Sequence, residues 1–282
     1  MKGKNVMKNK ISGKIVALLL TLIIVATSGM PLYAKETGDK ANSFRYENGQ
    51  SIAKAVPFST LSPNAWKKID GKYYSGDGSV IEGAVAKGID VSHHQGTVDW
   101  KKAKEDGVEF AIIRCGFGMN QTKQDDAQWF NNVKGCEENN IPYGVYLYSY
   151  ADTVKKAQSE AEHVLRLIKG HTLAYPVYYD IEEKAVLNKL TAEQLGKIAA
   201  TFVNKVKAEG YQTGIYSNKS NFETFLTDSQ FSQWNKWVAQ YNSAACTYKG
   251  TYQIWQAADT GTIDGVNGSR YQFCHENYLI KR

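Results

Sequence analysis

The chain has 282 residues, 43% hydrophobic and 22% charged, enough for a leader plus one sizeable domain or two small ones. Its formal net charge of +6 is no sign of a nucleic-acid or acidic partner, because five lysines and no acids fall in the first 34 residues. Without those five, the 34 Lys and Arg drop to 29 against 28 Asp and Glu, a net of +1.

Residues 1–34 read as a secretory leader. Lys2, Lys4, Lys8, Lys10 and Lys14 surround the start of an apolar run, Ile15 to Met30, that is short for a membrane span. Ala34, in PLYA, offers a cleavage point. The expectation is a secreted or cell-wall-associated protein with no stable membrane association after cleavage. In that compartment Cys115, Cys136, Cys246 and Cys274 can form disulfides. Cys246 and Cys274 flank the last strands and could staple the C-terminal end. Cys115 and Cys136 sit at different heights, on a strand and on the returning helix, which disfavours that pairing.

Residues 35–84 form a polar linker, with WKKIDGKYYSGDGSV (66–80) predicting a small aromatic hairpin that acts as a packing arm. From residue 85 to 282 the texture is that of one domain. Strands are predicted at 88–92, 110–116, 143–150, 176–182, 213–217, 237–242, 252–258 and 261–265. Helices separate the early strands. In DTVKKAQSEAEHVLRLIKG, Val154, Ala157, Ala161, Val164, Leu165 and Ile168 recur at helical spacing before Gly170. TAEQLGKIAATFVNKVKAEG opens with a capping-box pattern, Thr191 and Gln194, and stops at Gly210. Strand–helix alternation followed by three strands with little helix between them predicts an α/β fold, an irregular TIM-like barrel of (β/α)5(β)3 type.

In such a barrel, chemistry sits at the C-terminal strand ends. Asp90 lies late in the first strand, and YYDIEE closes the fourth with Asp180 and Glu182 two residues apart. Positions i and i+2 of a strand face one side, so both carboxylates point into one cavity and Ile181 faces the helices. Two like charges side by side favour keeping one protonated. A protonated carboxyl beside an ionised one is what glycosidic bond cleavage requires. The 18 Tyr and 6 Trp suit sugar faces as well as core packing. The sequence carries no H-E-x-x-H, paired C-x-x-C, Walker or dinucleotide glycine pattern, so neither a metal nor a cofactor is expected.

The segments KGIDVSHHQGTVDW, VEFAIIRCGFG, IPYGVYLYSYA, PVYYDIEE, GYQTGIYSN, WVAQYN and YQIWQ, in this order, resemble the glycoside hydrolase family 25 lysozymes (N-acetylmuramidases) from about Val85 to Cys274. The resemblance implies hydrolysis of the β-1,4 bond between N-acetylmuramic acid and N-acetylglucosamine, with peptidoglycan glycan strands as partner; a monomer is the expectation, though the sequence itself is silent on oligomeric state. It implies Glu182 as general acid, with Asp180 orienting or stabilising the N-acetyl group or developing charge and Asp90 lining the opposite wall. Tyr148, Tyr216, Gln240, Trp255 and Asp264 are the substrate-binding candidates. Both retention and inversion stay open. One departure stands out: family members usually carry another aspartate in a C-terminal G-x-V-D-x-N context. Here that region reads GVNGSRYQFCHENYL, with Arg270 and Tyr271 at the site and Asp264 the nearest acid upstream.

Two alternatives belong to other classes. The altered C-terminal segment and the aromatic hairpin allow a non-catalytic peptidoglycan-binding protein on the same barrel. Asp90, His93 and His94 could serve a metal-dependent deacetylase, but successive residues of an extended chain face opposite ways, which argues against two histidines sharing one metal.

Overall fold

The computed structural model describes residues 62–241, 245–258 and 263–266, together with the backbone of residues 46–47, 50–51 and 270–275. The leader predicted at 1–34 lies outside the described residues, as do residues 35–45, 48–49 and 52–61 of the linker.

Eight strands close into a barrel. They are β1 (Ala84–Val91), β2 (Phe110–Phe117), β3 (Tyr143–Tyr148), β4 (Val177–Asp180), β5 (Thr213–Asn218), β6 (Asn235–Ala239), β7 (Ile254–Gln256) and β8 (Arg270–His275). β1 to β7 run parallel. β8 pairs antiparallel with both β7 and β1 and so closes the ring. The helices α1 (Trp100–Glu105), α2 (Trp129–Glu138), α3 (Val154–Ile168), α4 (Lys184–Leu187), α5 (Ala192–Ala208) and α6 (Lys219–Thr224) fall between the first six strands. Five β/α units followed by three strands is the predicted architecture.

Local sequence explains the longer helices. Thr153 caps α3 by accepting from the Lys156 amide, and Thr191 and Gln194 form the reciprocal capping box of α5. Gly170 and Gly210, just past the two helices, take φ of 87° and 89°, where a glycine carries no Cβ penalty. The buried stripes Ala157–Ala161–Val164–Ile168 and Ile198–Phe202–Val206 pack against the outer barrel face. There the rings of Tyr179 and Phe202 stack with centroids 4.0 Å apart.

Strand alternation sorts the apolar residues into two sets. Ile89, Ile113, Val145, Tyr179, Ile215 and Trp255 point outward into the helix layer. Phe110, Ile112, Tyr146, Tyr178, Tyr216, Trp237 and Ile254 fill the barrel interior. Trp237 sits among Tyr146, Tyr178 and Tyr216, with ring centroids 5.6, 5.4 and 4.2 Å away. The barrel is therefore a packed core, with an open cavity at its upper end.

The predicted aromatic hairpin exists, as strands Lys68–Ile69 and Lys72–Tyr73 turning at Asp70–Gly71, where φ is 49° and 77°. It packs on the starts of β1 and β2. Trp66, Tyr73 and Ile81 are buried in the main core. The Tyr73 hydroxyl donates to Val85 O (2.9 Å) and to Glu109 Oε2 (2.7 Å), and Lys68 Nζ donates to Glu109 Oε1 at 2.6 Å.

Three expectations need correction. The eighth strand is Arg270–His275, not 261–265. Ile263 and Val266 instead close a tight turn in which Gly265 takes φ 82°, so the GTIDG stretch bends back where a strand would continue. β4 stops at Asp180, two residues short of the predicted end, although the Ile181 amide still donates to Tyr216 O at 3.0 Å and keeps the chain aligned with β5. Cys246 is a free thiol, so the staple to Cys274, whose side chain lies outside the described residues, is not made. Cys115 and Cys136 are both free and buried.

Candidate active site

The inward alternation that packs the lower barrel with rings places polar groups one layer higher. Asp90 follows Gly88 on β1, Arg114 follows Ile112 on β2, Tyr148 follows Tyr146 on β3, and Asp180 follows Tyr178 on β4. Cross-strand register sets Tyr148 beside Asp180, and Asp180 beside Tyr216. Glu182 lies two residues beyond Asp180, and Ile181 between them is buried in the helix-facing core, as the period of two requires. These groups line one open cavity of about 600 Å3 at the C-terminal barrel end.

Of the residues singled out in the sequence, the cavity brings together Asp90, Asp180, Glu182, Tyr148 and Tyr216. Three others fall elsewhere. Trp255 is fully buried on the outer face of β7 and donates its indole N–H to Gln240 O at 2.8 Å; its neighbour Gln256 takes the inward position. Gln240 lines a smaller adjoining depression with Lys219 and Tyr241 and exchanges hydrogen bonds with Thr247. Asp264 is exposed on the turn before β8, its amide donating to Asp106 Oδ2 at 3.0 Å beside α1, and it does not line the cavity. The backbone register instead sets Arg270 opposite Asp90.

Two networks hold the acids. On one wall, the hydroxyls of Tyr216 (2.8 Å) and Tyr241 donate to Gln256 Oε1. With its carbonyl oxygen so engaged, Gln256 turns its amide N–H to Asp90 Oδ2 at 2.6 Å. Both Asp90 and Gln256 are buried, at 1% and 0% exposure. On the other wall, Arg114 donates from Nε to Asp126 Oδ2 at 2.7 Å and from Nη2 to His93 Nδ1. Burial alone would push the Asp126 carboxyl up, but the Arg114 charge and hydrogen bonds from the His93 and Gln128 backbone amides hold it at about 2. Burial likewise opposes the Arg114 charge, yet Tyr146, Asp126 and Asp180 around it hold its pKa above the ordinary value.

Behind the strand ends, Glu160 on α3 ties the loop after β3 to the barrel. It accepts from Ser149 Oγ (2.8 Å), the Tyr150 amide (2.9 Å) and the Tyr179 hydroxyl, and Ser149 N donates to Asp180 O at 2.9 Å. Burial pushes the Glu160 carboxyl up. The Tyr148 phenol is also pushed up, first by burial and then by Glu182, Asp180 and Glu183, so it stays protonated and donates a hydrogen bond to Glu183 Oε2 at 3.2 Å. Tyr148 and Tyr150, with centroids 5.0 Å apart, form an aromatic ledge at the rim.

The two histidines behave differently from the extended-chain expectation. Ser92 caps a 3-10 turn, His93–Gln95, in a capping box with Gln95, so the backbone curls and both imidazoles line the cavity with centroids 3.9 Å apart. Among the described residues, no group of three or more His, Cys, Asp or Glu side chains is placed to hold a metal ion.

Sequence reasoning missed Arg114, Asp126, Gln256 and Glu160. The first and third left a signal: each is a polar residue at an inward position of an otherwise apolar strand. Asp126, in a loop, and Glu160, on the buried face of a helix, left none that is local.

Known proteins resemble this chain in sequence and in fold. The sequence profile of glycosyl hydrolases family 25 matches residues 89–266. The chain is 31% identical over 189 residues to protein YegX of Escherichia coli O157:H7, a match covering 64% of this chain and 66% of that one. It is 27% identical over 183 residues to the autolytic lysozyme of Clostridium acetobutylicum, covering 65% of this chain and 53% of that one. Among solved structures, the modular autolysin LytC of Streptococcus pneumoniae, in complex with a synthetic peptidoglycan ligand, superposes with a TM-score of 0.64 and 30% identity, over 74% of this chain and 51% of that one. The chain thus spans from about half to two thirds of the length of these relatives. With the barrel, the strand-end carboxylates and a profile match over most of the described domain, the chain belongs to family 25 of the glycosyl hydrolases.

Proposed function

We propose that the protein is an exported muramidase that hydrolyses the β-1,4 bond between N-acetylmuramic acid and N-acetylglucosamine in peptidoglycan. The observation that carries this reading is the pair Asp180 and Glu182 on one face of β4 and its extension, facing Asp90 across an open cavity. The autolytic lysozyme and the peptidoglycan-bound autolysin among its relatives support the substrate class. Export is supported by the lysine-rich, then apolar, first 34 residues. No helix among the described residues is long and apolar enough to cross a membrane.

In this mechanism Glu182 protonates the leaving glycosidic oxygen, while Asp180 stays ionised and stabilises the positive charge that develops at the anomeric carbon or orients the N-acetyl group beside it. Asp90, fixed by Gln256, lines the opposite wall. Tyr148 offers an aromatic face to the glycan, Tyr216 closes the cavity floor with its hydroxyl on Gln256, and the enzyme works as a monomer without a cofactor. Gln240, Trp255 and Asp264 leave the substrate-contact set, since none lines the cavity.

The test is Glu182→Gln in the full chain. Lysis of purified cell walls should vanish while the thermal midpoint and circular dichroism stay those of the parent. Full lysis by the variant refutes Glu182 as the acid.

A further inference from the structure

Behind the cavity wall, two aspartates stand next to each other in the loop after β2 and face opposite ways. The chain is extended at Asp125, with φ −63° and ψ 144°, so successive side chains point to opposite sides. Asp126 turns inward, and its side chain is wholly buried. Its Oδ2 accepts from Arg114 Nε at 2.7 Å and from the His93 amide at 3.0 Å. Arg114 and His93 both line the cavity, and Asp126 holds them from behind.

Asp125 turns outward to α3. Its Oδ1 accepts from Arg166 Nη2 at 2.5 Å and meets His163 Nε2 at 2.7 Å, and its Oδ2 accepts from Arg166 Nη1 at 3.0 Å. The same helix edge grips the loop at two further points. His163 Nδ1 meets Gly118 O at 3.0 Å, while Asn120 donates its amide to Ser159 Oγ at 3.1 Å and accepts from Arg166 Nε at 2.8 Å. Ser159, His163 and Arg166 follow at i, i+4 and i+7, one stripe of α3. A guanidinium fork on both oxygens of a carboxylate fixes direction as well as distance. Between the two aspartate side chains the backbone rests on β2, where the Asp126 amide donates to Cys115 O at 2.9 Å.

We propose that Asp125 is a positioning residue for the cavity wall. By locking the loop to α3 it sets where Asp126 presents its carboxylate, and through Asp126 it sets Arg114 and His93. Asp125 itself does not line the cavity, so its effect on substrate is relayed. This inference rests on the muramidase reading for its consequence in catalysis, but not for its structural measurement.

The experiment is a double-mutant cycle in the full chain: parent, Asp125→Ala, Asp126→Asn and D125A/D126N. Its first readout is the NMR signal of the Arg114 Nε–H, whose exchange with solvent reports the bond to Asp126. Asp125→Ala should speed that exchange by about tenfold or more at a temperature where the protein stays folded. The second is turnover of a soluble tetrasaccharide of alternating N-acetylglucosamine and N-acetylmuramic acid. Asp125→Ala should lower kcat/KM by about tenfold, mainly through KM, because the wall shifts while the acids of β4 stay in place. In the Asp126→Asn background the same substitution should change kcat/KM by less than about twofold, since the group it acts through is gone. If Asp125→Ala does not fold, Arg166→Met removes the guanidinium grip from the helix side and carries the same cycle. Losses that multiply independently overturn the proposal. So does an unchanged Arg114 signal with only the thermal midpoint lowered, the result for a loop that the β2 backbone contact alone holds in place. The NMR signal needs no substrate, so its outcome is separate from whether Glu182→Gln stops wall lysis.

Discussion

The two ends of the barrel are built from the same kinds of side chain and put them to different uses. At the N-terminal end, Lys68, Tyr73 and the Lys87 amide all converge on Glu109, and their hydrogen bonds offset the burial that would raise its pKa, leaving it below the ordinary value. The Glu109 carboxylate there has both a cation and hydrogen-bond donors, and the hairpin is closed over it. At the C-terminal end, Asp90, Asp180, Glu182 and Glu183 share one open cavity with the Arg114 guanidinium, itself already committed to Asp126. An end that only seals the barrel can neutralise its charges, whereas an end that does chemistry keeps an unbalanced set of acids.

That contrast is breakable from either side. The largest effect expected is at the open end: Asp180→Asn should lower the rate of wall lysis by about 10²–10⁴, while calorimetry finds the thermal midpoint close to the parent's. At the closed end the pattern inverts. Tyr73→Ala removes a ring only 2% exposed and its two hydrogen bonds. It should cost about 3–5 kcal/mol in a denaturant titration, with activity per folded molecule unchanged.

Asp126 belongs to the open end yet acts on stability. Asp126→Asn leaves the Arg114 charge buried without its partner, at a cost of about 3 kcal/mol. The parent has a pH signature as well. The Asp126 carboxyl is held at about 2 in the folded chain, against an ordinary value of 3.8. A depressed folded pKa gives stability that is fully present above the unfolded pKa and is lost as pH falls through the folded one. Chemical denaturation between pH 4 and pH 2 should therefore show a fall in the parent that is smaller in Asp126→Asn. The smallest effect is Lys68→Ala: its ion pair with Glu109 is 44% and 34% exposed, so equilibrium unfolding should register less than about 1 kcal/mol.

The contrast also shows how far the sequence alone reaches. The i, i+2 spacing of Asp180 and Glu182 was enough to put both on the cavity face, and the helices of 153–168 and 191–208 were legible through caps and apolar periodicity. Trp255 was not, because IWQ is buried on both faces and a run with no polar alternation does not declare its phase. The eighth strand was misplaced for a related reason. GTIDG has strand-like residues, but Gly265 at positive φ turns the chain, and the true strand, Arg270–His275, lies in the stretch that departs from the family pattern. Asp126 meets Arg114 twelve positions away through a loop, and Glu160 meets Tyr179 nineteen away, pairings that depend on the closed barrel rather than on any local motif.

The most direct measurement is mass spectrometry of the products released from purified peptidoglycan by the parent protein and by Glu182→Gln. The parent should release fragments ending in reducing N-acetylmuramic acid, and the variant should release none. Fragments ending in reducing N-acetylglucosamine, or equal release by both proteins, would contradict the assignment of Asp180 and Glu182 as the pair that cleaves this bond.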